Sequence, residues 1–183
     1  HWLVADLLIN HTQQCEIMPN PLLVDYTVNG ETTVGALRAG KYFASRKELS
    51  FAADTWARVH ALPGRILGYG MEGIVREHAG SVYKHFYPEA ISNTSVDWLR
   101  KVLRDCGPYL PQAEFTKDCG GEWVASYDWN ETSPFDKATE EMVRDFLLFC
   151  LDANIVCANI KRSNFRVDQY GRLVYIDIGK WIL

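Results

Sequence analysis

The sequence lacks long hydrophobic runs and blocks of like charge. No apolar stretch approaches the roughly 18 residues that a membrane span requires, and no run holds five or more charges of one sign. The formal net charge of −4 argues against an extended nucleic-acid or acidic-lipid surface, because phosphate binding requires clustered cations. We therefore predict neither a membrane span nor a nucleic-acid partner.

The cysteine spacing indicates neither a metal site nor a disulfide framework. The five cysteines are odd in number and show no C-x-x-C pair, which disfavours both a zinc site and a set of structural disulfides. Reduced thiols are typical of cytosolic proteins, so we predict a cytoplasmic location. The N-terminus has neither the basic region of a signal peptide nor an initiator methionine, and we expect a piece of a longer protein.

The first third of the chain predicts a hairpin and a helix. Alternating apolar residues on both sides of Asn29-Gly30 are typical of a β-hairpin, and the apolar spacing of 47–62 predicts an amphipathic helix. Pro63-Gly64 ends this helix. We place a boundary there, with an accessory segment of unknown role at 1–64 and the main domain at 65–183.

A glycine-rich stretch opens the main domain. Gly68, Gly70 and Gly73 fit G-x-G-x-x-G, and glycines let a backbone approach phosphate oxygens closely, although a plain tight hairpin fits the stretch equally well. A dinucleotide fold requires a helix to begin inside the motif, whereas strand formers surround His78-Ala-Gly80. This favours a hairpin whose pairing sets Lys84 across from Ile74.

Lys84 shares one face of its predicted strand with Val82 and Phe86. A lysine on an otherwise apolar face is costly unless a negative group meets it, and a triphosphate is one such group. The alternative is a lysine at a sheet edge whose stem is buried and whose ammonium reaches water.

The remaining chain predicts alternating helices and strands. A helix starts at Asn93, Thr94 or Ser95 and ends before Gly107-Pro108. The segment 121–128 is typical of a strand, and the longest helix is predicted over roughly 134–153, with Pro134 at its first position. A second hairpin over 165–176 turns near 169–171.

Four short motifs follow one another in an order that resembles the protein-kinase-like superfamily. They are the glycine loop from Gly68 to Val75, the Val82-Tyr-Lys84 strand, the Lys161 and Asn164 pair, and Asp177-Ile-Gly179. The resemblance runs from about residue 67 to the end. It implies an α+β, protein-kinase-like fold: a small antiparallel-sheet N-lobe with one helix, plus the start of a helical C-lobe that stops after the Asp177 motif.

The same resemblance implies roles for particular residues. Asn164 and Asp177 would bind Mg²⁺ through oxygen ligands, and Asn159 and Lys161 would occupy the catalytic loop. The implied ATP-binding residues are Gly68, Gly70, Gly73, Val75, Val82 and Lys84. Phosphoryl transfer depends mostly on such positioning and charge neutralisation.

Asn159 departs from the family pattern, which has aspartate at this position. Asparagine accepts a hydrogen bond from a hydroxyl but cannot take its proton. Three functions therefore stay open: a kinase that transfers the ATP γ-phosphate to a protein or small-molecule hydroxyl, a nucleotide-binding pseudokinase that regulates or scaffolds, and an interaction module without nucleotide. The phosphoacceptor is not indicated, and neither Asp97 nor Glu89 is a convincing partner for Lys84.

Overall fold

The computed structural model describes residues 23–28, 31–36, 46–105, 107–128 and 132–183. The helices are α1 (Arg46–His60), α2 (Asn93–Asp105) and α3 (Glu140–Asp152). The strands are β1 (Leu23–Val28), β2 (Glu31–Ala36), β3 (Arg65–Tyr69), β4 (Gly73–His78), β5 (Ser81–Phe86), β6 (Glu114–Lys117), β7 (Trp123–Asp128), β8 (Thr132–Pro134), β9 (Phe165–Asp168) and β10 (Leu173–Tyr175).

The strands form three sheets. β1 and β2 pair as a hairpin, β3-β4-β5-β7-β6 form a five-stranded antiparallel sheet, and β10-β9-β8 form a three-stranded one. The mixed helix and antiparallel-sheet class is therefore confirmed, while its kinase-like assignment stays a prediction. In the part of the chain that the structure describes, no helix is long and apolar enough to cross a membrane.

The described residues divide into two compact units. A sheet unit is drawn from Met18–Asn93 and Glu114–Ser126, and a C-terminal unit is drawn from Thr94–Ala113 and Tyr127–Leu183. The first hairpin has the predicted register, with Val28 opposite Glu31, although the Asn29-Gly30 turn itself lies outside the described residues.

Helix α1 supplies one side of the core of the sheet unit. Its apolar stripe buries Ala52, Trp56 and Val59 against Ile74 of β4 and Tyr87, as the apolar spacing predicts. The Trp56 ring meets the Tyr69 ring edge-on at 5.1 Å. α1 thus belongs to the core that β4 helps to form, and the accessory role of 1–64 stays a prediction.

The β4–β5 hairpin differs from its predicted register by one residue. Lys84 lies opposite Val75, not Ile74, because the turn is the two-residue Ala79-Gly80 and not three residues. Both turn residues have positive φ, 49° and 81°, as the twist of a tight hairpin favours. Since side chains alternate between faces, the one-residue shift places Val75 on the face of Lys84 and Ile74 on the opposite face.

A buried polar pair lies on the Ile74 face of this hairpin. Arg76 donates from Nε to His85 Nε2 at 3.0 Å and from Nη1 to the Pro63 carbonyl at 2.7 Å. His85 is 4% exposed. Burial and, to a lesser extent, the neighbouring charge of Arg76 lower the pKa of His85 to about 4, so the imidazole is a neutral acceptor.

Acidification is expected to destabilise the fold through His85. The unfolded chain binds the extra proton below a pKa of 6.5, whereas the folded chain does so only near 4. Stability is therefore complete above the unfolded value and falls as the pH decreases towards 4. The expected loss in free energy of unfolding is on the order of 2 kcal/mol after allowance for solvent screening.

Urea denaturation over this pH range tests the expectation. His85→Gln keeps an acceptor for Arg76 but does not titrate, so its stability should fall less steeply than that of the wild type. His78→Gln is the matched control, because it makes the same substitution at the turn end of the same hairpin, away from the contact between His85 and Arg76. Equal slopes in all three proteins would contradict the role of His85.

Aromatic rings form the centre of the C-terminal unit. Phe165 is fully buried and meets Phe146 and Tyr175 edge-on, each at 5.2 Å between ring centroids. Tyr109 stacks on Phe149 at 4.7 Å, and its carbonyl accepts from the Tyr175 amide at 2.9 Å. These contacts fix β9, β10 and α3 against one another.

Helix α3 begins later than predicted and, with 13 residues, is shorter than the 15-residue α1, so the prediction that it is the longest helix was wrong. Its first residue is Glu140, and the Thr139 side chain caps it by accepting from the Met142 amide at 3.3 Å. Thr132–Pro134 pairs with β9, and one 3₁₀ turn, Phe135–Lys137, follows. Proline fits the first helical position, but pairing with β9 holds Pro134 in a strand.

The second hairpin turns over 168–171, where it was predicted.

Candidate functional site

The glycines of the G-x-G-x-x-G stretch have different roles in the structure. The Gly70 amide donates to the Gly73 carbonyl at 3.0 Å and closes a turn. A Cβ at Gly73 would lie 2.1 Å from the His85 carbonyl oxygen, whereas Gly68 and Gly70 have no atom within 4 Å of the equivalent position. Gly73 is therefore required by the packing of β4 on β5, whereas a side chain at Gly68, in β3, or at Gly70, on the turn, would meet open space.

Lys84 pairs with a glutamate of this turn. Its Nζ lies 2.7 Å from Glu72 Oε2, and the two side chains are only 7% and 4% exposed. The Glu72 carbonyl accepts from the Tyr87 amide at 2.9 Å, which ties the turn to the end of β5. A buried ammonium is thus held by a buried carboxylate beside open glycine backbone.

Glu72 is the site residue that sequence reasoning missed. The two acids considered for Lys84 lie elsewhere: Asp97 pairs with Arg100 on the surface of α2, and Glu89 is exposed. The apolar face around Lys84 does predict a negative partner. With the correct register, Gly73 lies opposite Phe86, and the acid preceding Gly73 becomes the nearest candidate.

The two valines among the implied ATP-binding residues share the face of Lys84. Val75 lies directly opposite Lys84, and Val82 precedes it by two residues on β5. Val82 is completely buried and Val75 is half-buried. The sheet unit thus brings together Lys84, both valines and the glycine turn.

A second cluster lies in the C-terminal unit and joins three predicted residues. Asp177 Oδ2 accepts from the Asn159 amide nitrogen at 2.8 Å and from the Asn164 amide nitrogen at 3.1 Å. The Asn164 amide also donates to the Asn159 carbonyl at 2.8 Å. All three side chains are half-buried. The asparagine at the aspartate position of the family therefore holds the carboxylate of Asp177.

Local backbone structure positions this cluster. Asn164 ends a 3₁₀ turn, Arg162–Asn164, and its carbonyl accepts from the Ile176 amide at 2.8 Å, directly before Asp177. Lys161 precedes the turn, and its carbonyl accepts from the Asn164 amide at 2.9 Å. The Lys161 side chain is exposed, so its backbone, not its ammonium, helps to position Asn164.

The donors of this cluster fit a hard divalent cation such as Mg²⁺. Mg²⁺ is bound by one or two carboxylates together with phosphate and water oxygens. Asp177 supplies one carboxylate. The Asn164 side-chain nitrogen donates hydrogen bonds to Asp177 and Asn159, which leaves the amide oxygen of Asn164 as a second metal ligand. Within the described ranges, no group of three or more His, Cys, Asp and Glu side chains could hold a metal. The cluster therefore offers two protein oxygens, one from Asp177 and one from Asn164.

Tyr127 lies near the same carboxylate. Burial raises the pKa of its hydroxyl well above the ordinary value; Arg166 lowers it in part, and the charge of Asp177 raises it again. Tyr127 is therefore an uncharged group at physiological pH.

A cavity of about 630 Å³ in the C-terminal unit contains none of the predicted site residues. Its wall includes Tyr127, Ile176 and the hairpin of Asp168 and Arg172. The Asp168 carboxylate accepts from the Arg172 side chain at 2.9 Å and 2.8 Å, and from two backbone amides. Asp168 and Arg172 neutralise each other, Asp128 adds a further carboxylate to the wall, and we assign the cavity no ligand.

Comparison with protein-family models gives no match for this chain, and comparison with curated proteins gives none. The relationship to the protein-kinase-like superfamily therefore stays a prediction that depends on the motifs and on the two clusters.

Proposed function

We propose that this chain is an ATP-binding, kinase-like domain that uses Mg²⁺. The observation that carries the proposal is the buried Lys84 ammonium, paired with Glu72 beside the open backbone of the glycine turn. Burying a charge costs several kcal/mol. Binding a phosphate is a physical reason for a protein to retain a buried cation such as Lys84 despite this cost. The antiparallel sheet is also of the kind that the resemblance implies.

Each cluster has its own part in the proposal. Lys84 would contact the α- and β-phosphate oxygens, the phosphates would lie against the uncrowded backbone at Gly68 and Gly70, and Val75 and Val82 would contact adenine. Asn164 and Asp177 would hold Mg²⁺, which neutralises phosphate charge when bound. Glu72 would orient Lys84, the task that the resemblance gives to a helix glutamate.

The γ-phosphate would pass to a protein or small-molecule hydroxyl in the kinase form of this proposal. A second candidate, a pseudokinase that binds nucleotide without transfer, is favoured by Asn159. Its amide donates to Asp177, so it acts as a donor to a carboxylate and supplies no base. General-base catalysis contributes roughly 10²–10⁴-fold, and transfer is expected to be slow or absent.

Thermal melting with Mg-ATP tests nucleotide binding. At a ligand concentration of about 100 Kd, binding adds about 2.7 kcal/mol to the free energy of unfolding, and the melting temperature should rise. Asp177→Asn should lose most of this shift, because it removes the only charge of the proposed Mg²⁺ ligands. Asp152→Asn, an exposed acid at the end of α3, should retain it. A wild-type protein that shows no shift would contradict both nucleotide-binding functions.

Asn159→Asp is expected to destabilise the protein in a pH-dependent manner. It would place a second carboxylate about 3 Å from Asp177, and the pair would retain a proton that the unfolded chain releases near its ordinary pKa. Stability should therefore fall relative to the wild type as the pH rises from about 4 to 8, by about 2 kcal/mol. Millimolar Mg²⁺ should restore it by neutralising the pair.

Asn159→Ala is the matched control, since it removes the same hydrogen bond and adds no charge. Its deficit should depend neither on pH nor on Mg²⁺. An assay of phosphate transfer from ATP in the same proteins separates the two functions. Turnover that appears only in Asn159→Asp would support the pseudokinase, and fast turnover by the wild type would contradict it. Mg²⁺ rescue equal in Asn159→Asp and Asn159→Ala would contradict a cation site at Asp177.

A further inference from the structure

Two cysteines of the C-terminal unit lie side by side. Cys150 is on the last turns of α3, and Cys157 is in the segment that follows. Both are reduced thiols, with Cys157 buried and Cys150 half-buried, and a side-chain hydrogen bond joins their sulfurs. Spacing along the chain gives no indication of this contact, because six residues lie between the two positions.

The end of α3 explains why the thiols meet. Asn154 has a positive φ of 53°. The Ile155 amide donates to the Cys150 carbonyl at 3.0 Å, and the Asn154 amide donates to the Leu151 carbonyl at 3.2 Å. This is the Schellman arrangement that ends a helix and reverses the chain. It directs the next segment back past α3, with Cys157 next to Cys150.

The position of Cys157 is fixed from its other side as well. Its backbone forms a bridge with Ile182, and the Ala158 amide donates to the Trp181 carbonyl at 2.7 Å. Both cysteines therefore belong to hydrogen-bonded backbone. Preorganised thiols of this kind lose little conformational entropy when they are joined.

Cys150 has the properties of the attacking thiol. It is the more exposed of the two, and the hydrogen bond from Cys157 lowers its pKa below the ordinary value of 9.0. A larger thiolate fraction increases reaction with peroxide. Cys157 is 4% exposed and is positioned to react second, from within the fold.

We propose that Cys150 and Cys157 are a redox pair that a hydroperoxide converts to an intramolecular disulfide. The Cys150 thiolate attacks the terminal peroxide oxygen and the O–O bond breaks; hydroxide leaves from hydrogen peroxide, or an alkoxide leaves from an organic hydroperoxide, and takes a proton to become water or an alcohol. The Cys157 sulfur then attacks Cys150 Sγ of the sulfenic acid; the S–S bond forms, the S–O bond breaks, and a water leaves with the Cys157 proton. Two thiols are oxidised and one peroxide is reduced.

Hydrogen peroxide treatment followed by mass spectrometry tests the pair. Both cysteines lie in one tryptic peptide, Asp145–Lys161, so the disulfide appears as the loss of two hydrogen atoms and of both alkylation sites. A variant with serine at Cys15, Cys106 and Cys119 should react in the same way, and a dithiol reductant should reverse the reaction. The disulfide should raise the melting temperature by roughly 5 °C.

Single substitutions assign the two roles. In Cys157→Ser, the sulfenic acid on Cys150 should persist and react with dimedone. In Cys150→Ser, the buried Cys157 should stay reduced at the same peroxide concentration. Three results would each overturn the proposal: oxidation of Cys150 in the wild type to sulfinic acid, equal reactivity of the two single variants, or disulfides that form only between molecules. Circular dichroism confirms that each variant is folded.

Discussion

Lys84→Met is expected to lower the free energy of unfolding by about 3–5 kcal/mol. The substitution leaves the Glu72 carboxylate, only 4% exposed, without the ammonium that lies 2.7 Å away. A buried charge that loses its partner retains the full cost of leaving water, whereas methionine replaces only the packing of the lysine stem. Urea denaturation at neutral pH measures the loss.

The double variant Lys84→Met/Glu72→Met should regain most of this stability. It removes both charges together and fills similar volume with apolar atoms, and such replacements are often neutral. The cycle of single and double variants should give a coupling free energy of about 2–3 kcal/mol. Additive effects would contradict a buried ion pair.

An exposed ion pair provides the matched control for this cycle. Arg100 and Asp97 on α2 lie 3.4 Å apart with side chains 46% and 74% exposed. Arg100→Met should change stability by about 0.5 kcal/mol or less, because water already solvates both charges. The contrast isolates burial as the reason for the effect at Lys84.

Gly73→Ala is expected to cost about 3 kcal/mol or more. Its Cβ would lie 2.1 Å from the His85 carbonyl oxygen and 2.8 Å from the carbonyl carbon. Both atoms belong to the backbone of β5, so the strands must separate to admit the methyl group. Denaturant unfolding measures the loss, and reduced pairing of β4 with β5 should appear as faster amide hydrogen exchange.

Gly70→Ala separates the structural role of glycine from its role in binding. No atom lies within 4 Å of the position that the new methyl group would take, and the stability of this variant should stay within about 1 kcal/mol of the wild type. Under the proposed function, the same methyl group would obstruct phosphate and reduce the Mg-ATP shift. Comparable destabilisation by both substitutions would contradict the packing role of Gly73.

Much of the local structure was predictable from the sequence. The α1 stripe of Ala52, Trp56 and Val59 follows from helical periodicity, and the three hairpins follow from turn residues flanked by strand formers. These features depend on neighbours a few residues away. The predicted start of α3 was wrong because Pro134 pairs with β9, a contact between distant segments.

The candidate site was predictable as a set of residues but not as a set of contacts. The motifs identified Lys84, Asn164 and Asp177, and the structure adds Glu72 as the partner of Lys84 and Asn159 as a donor to Asp177. Which acid meets a lysine across a hairpin depends on register. A one-residue change in register exchanges the two faces.

The sequence by itself determined where this protein has strands, helices and turns, and which polar residues are unusual for their positions. Backbone propensity and side-chain periodicity are properties of short segments, so a single chain suffices to infer them. Only the tertiary structure decided that Glu72 neutralises Lys84 and that Cys150 meets Cys157. Such pairs form because hydrogen-bonded strands and helix ends bring separate segments together, and that geometry is not encoded in spacing along the chain.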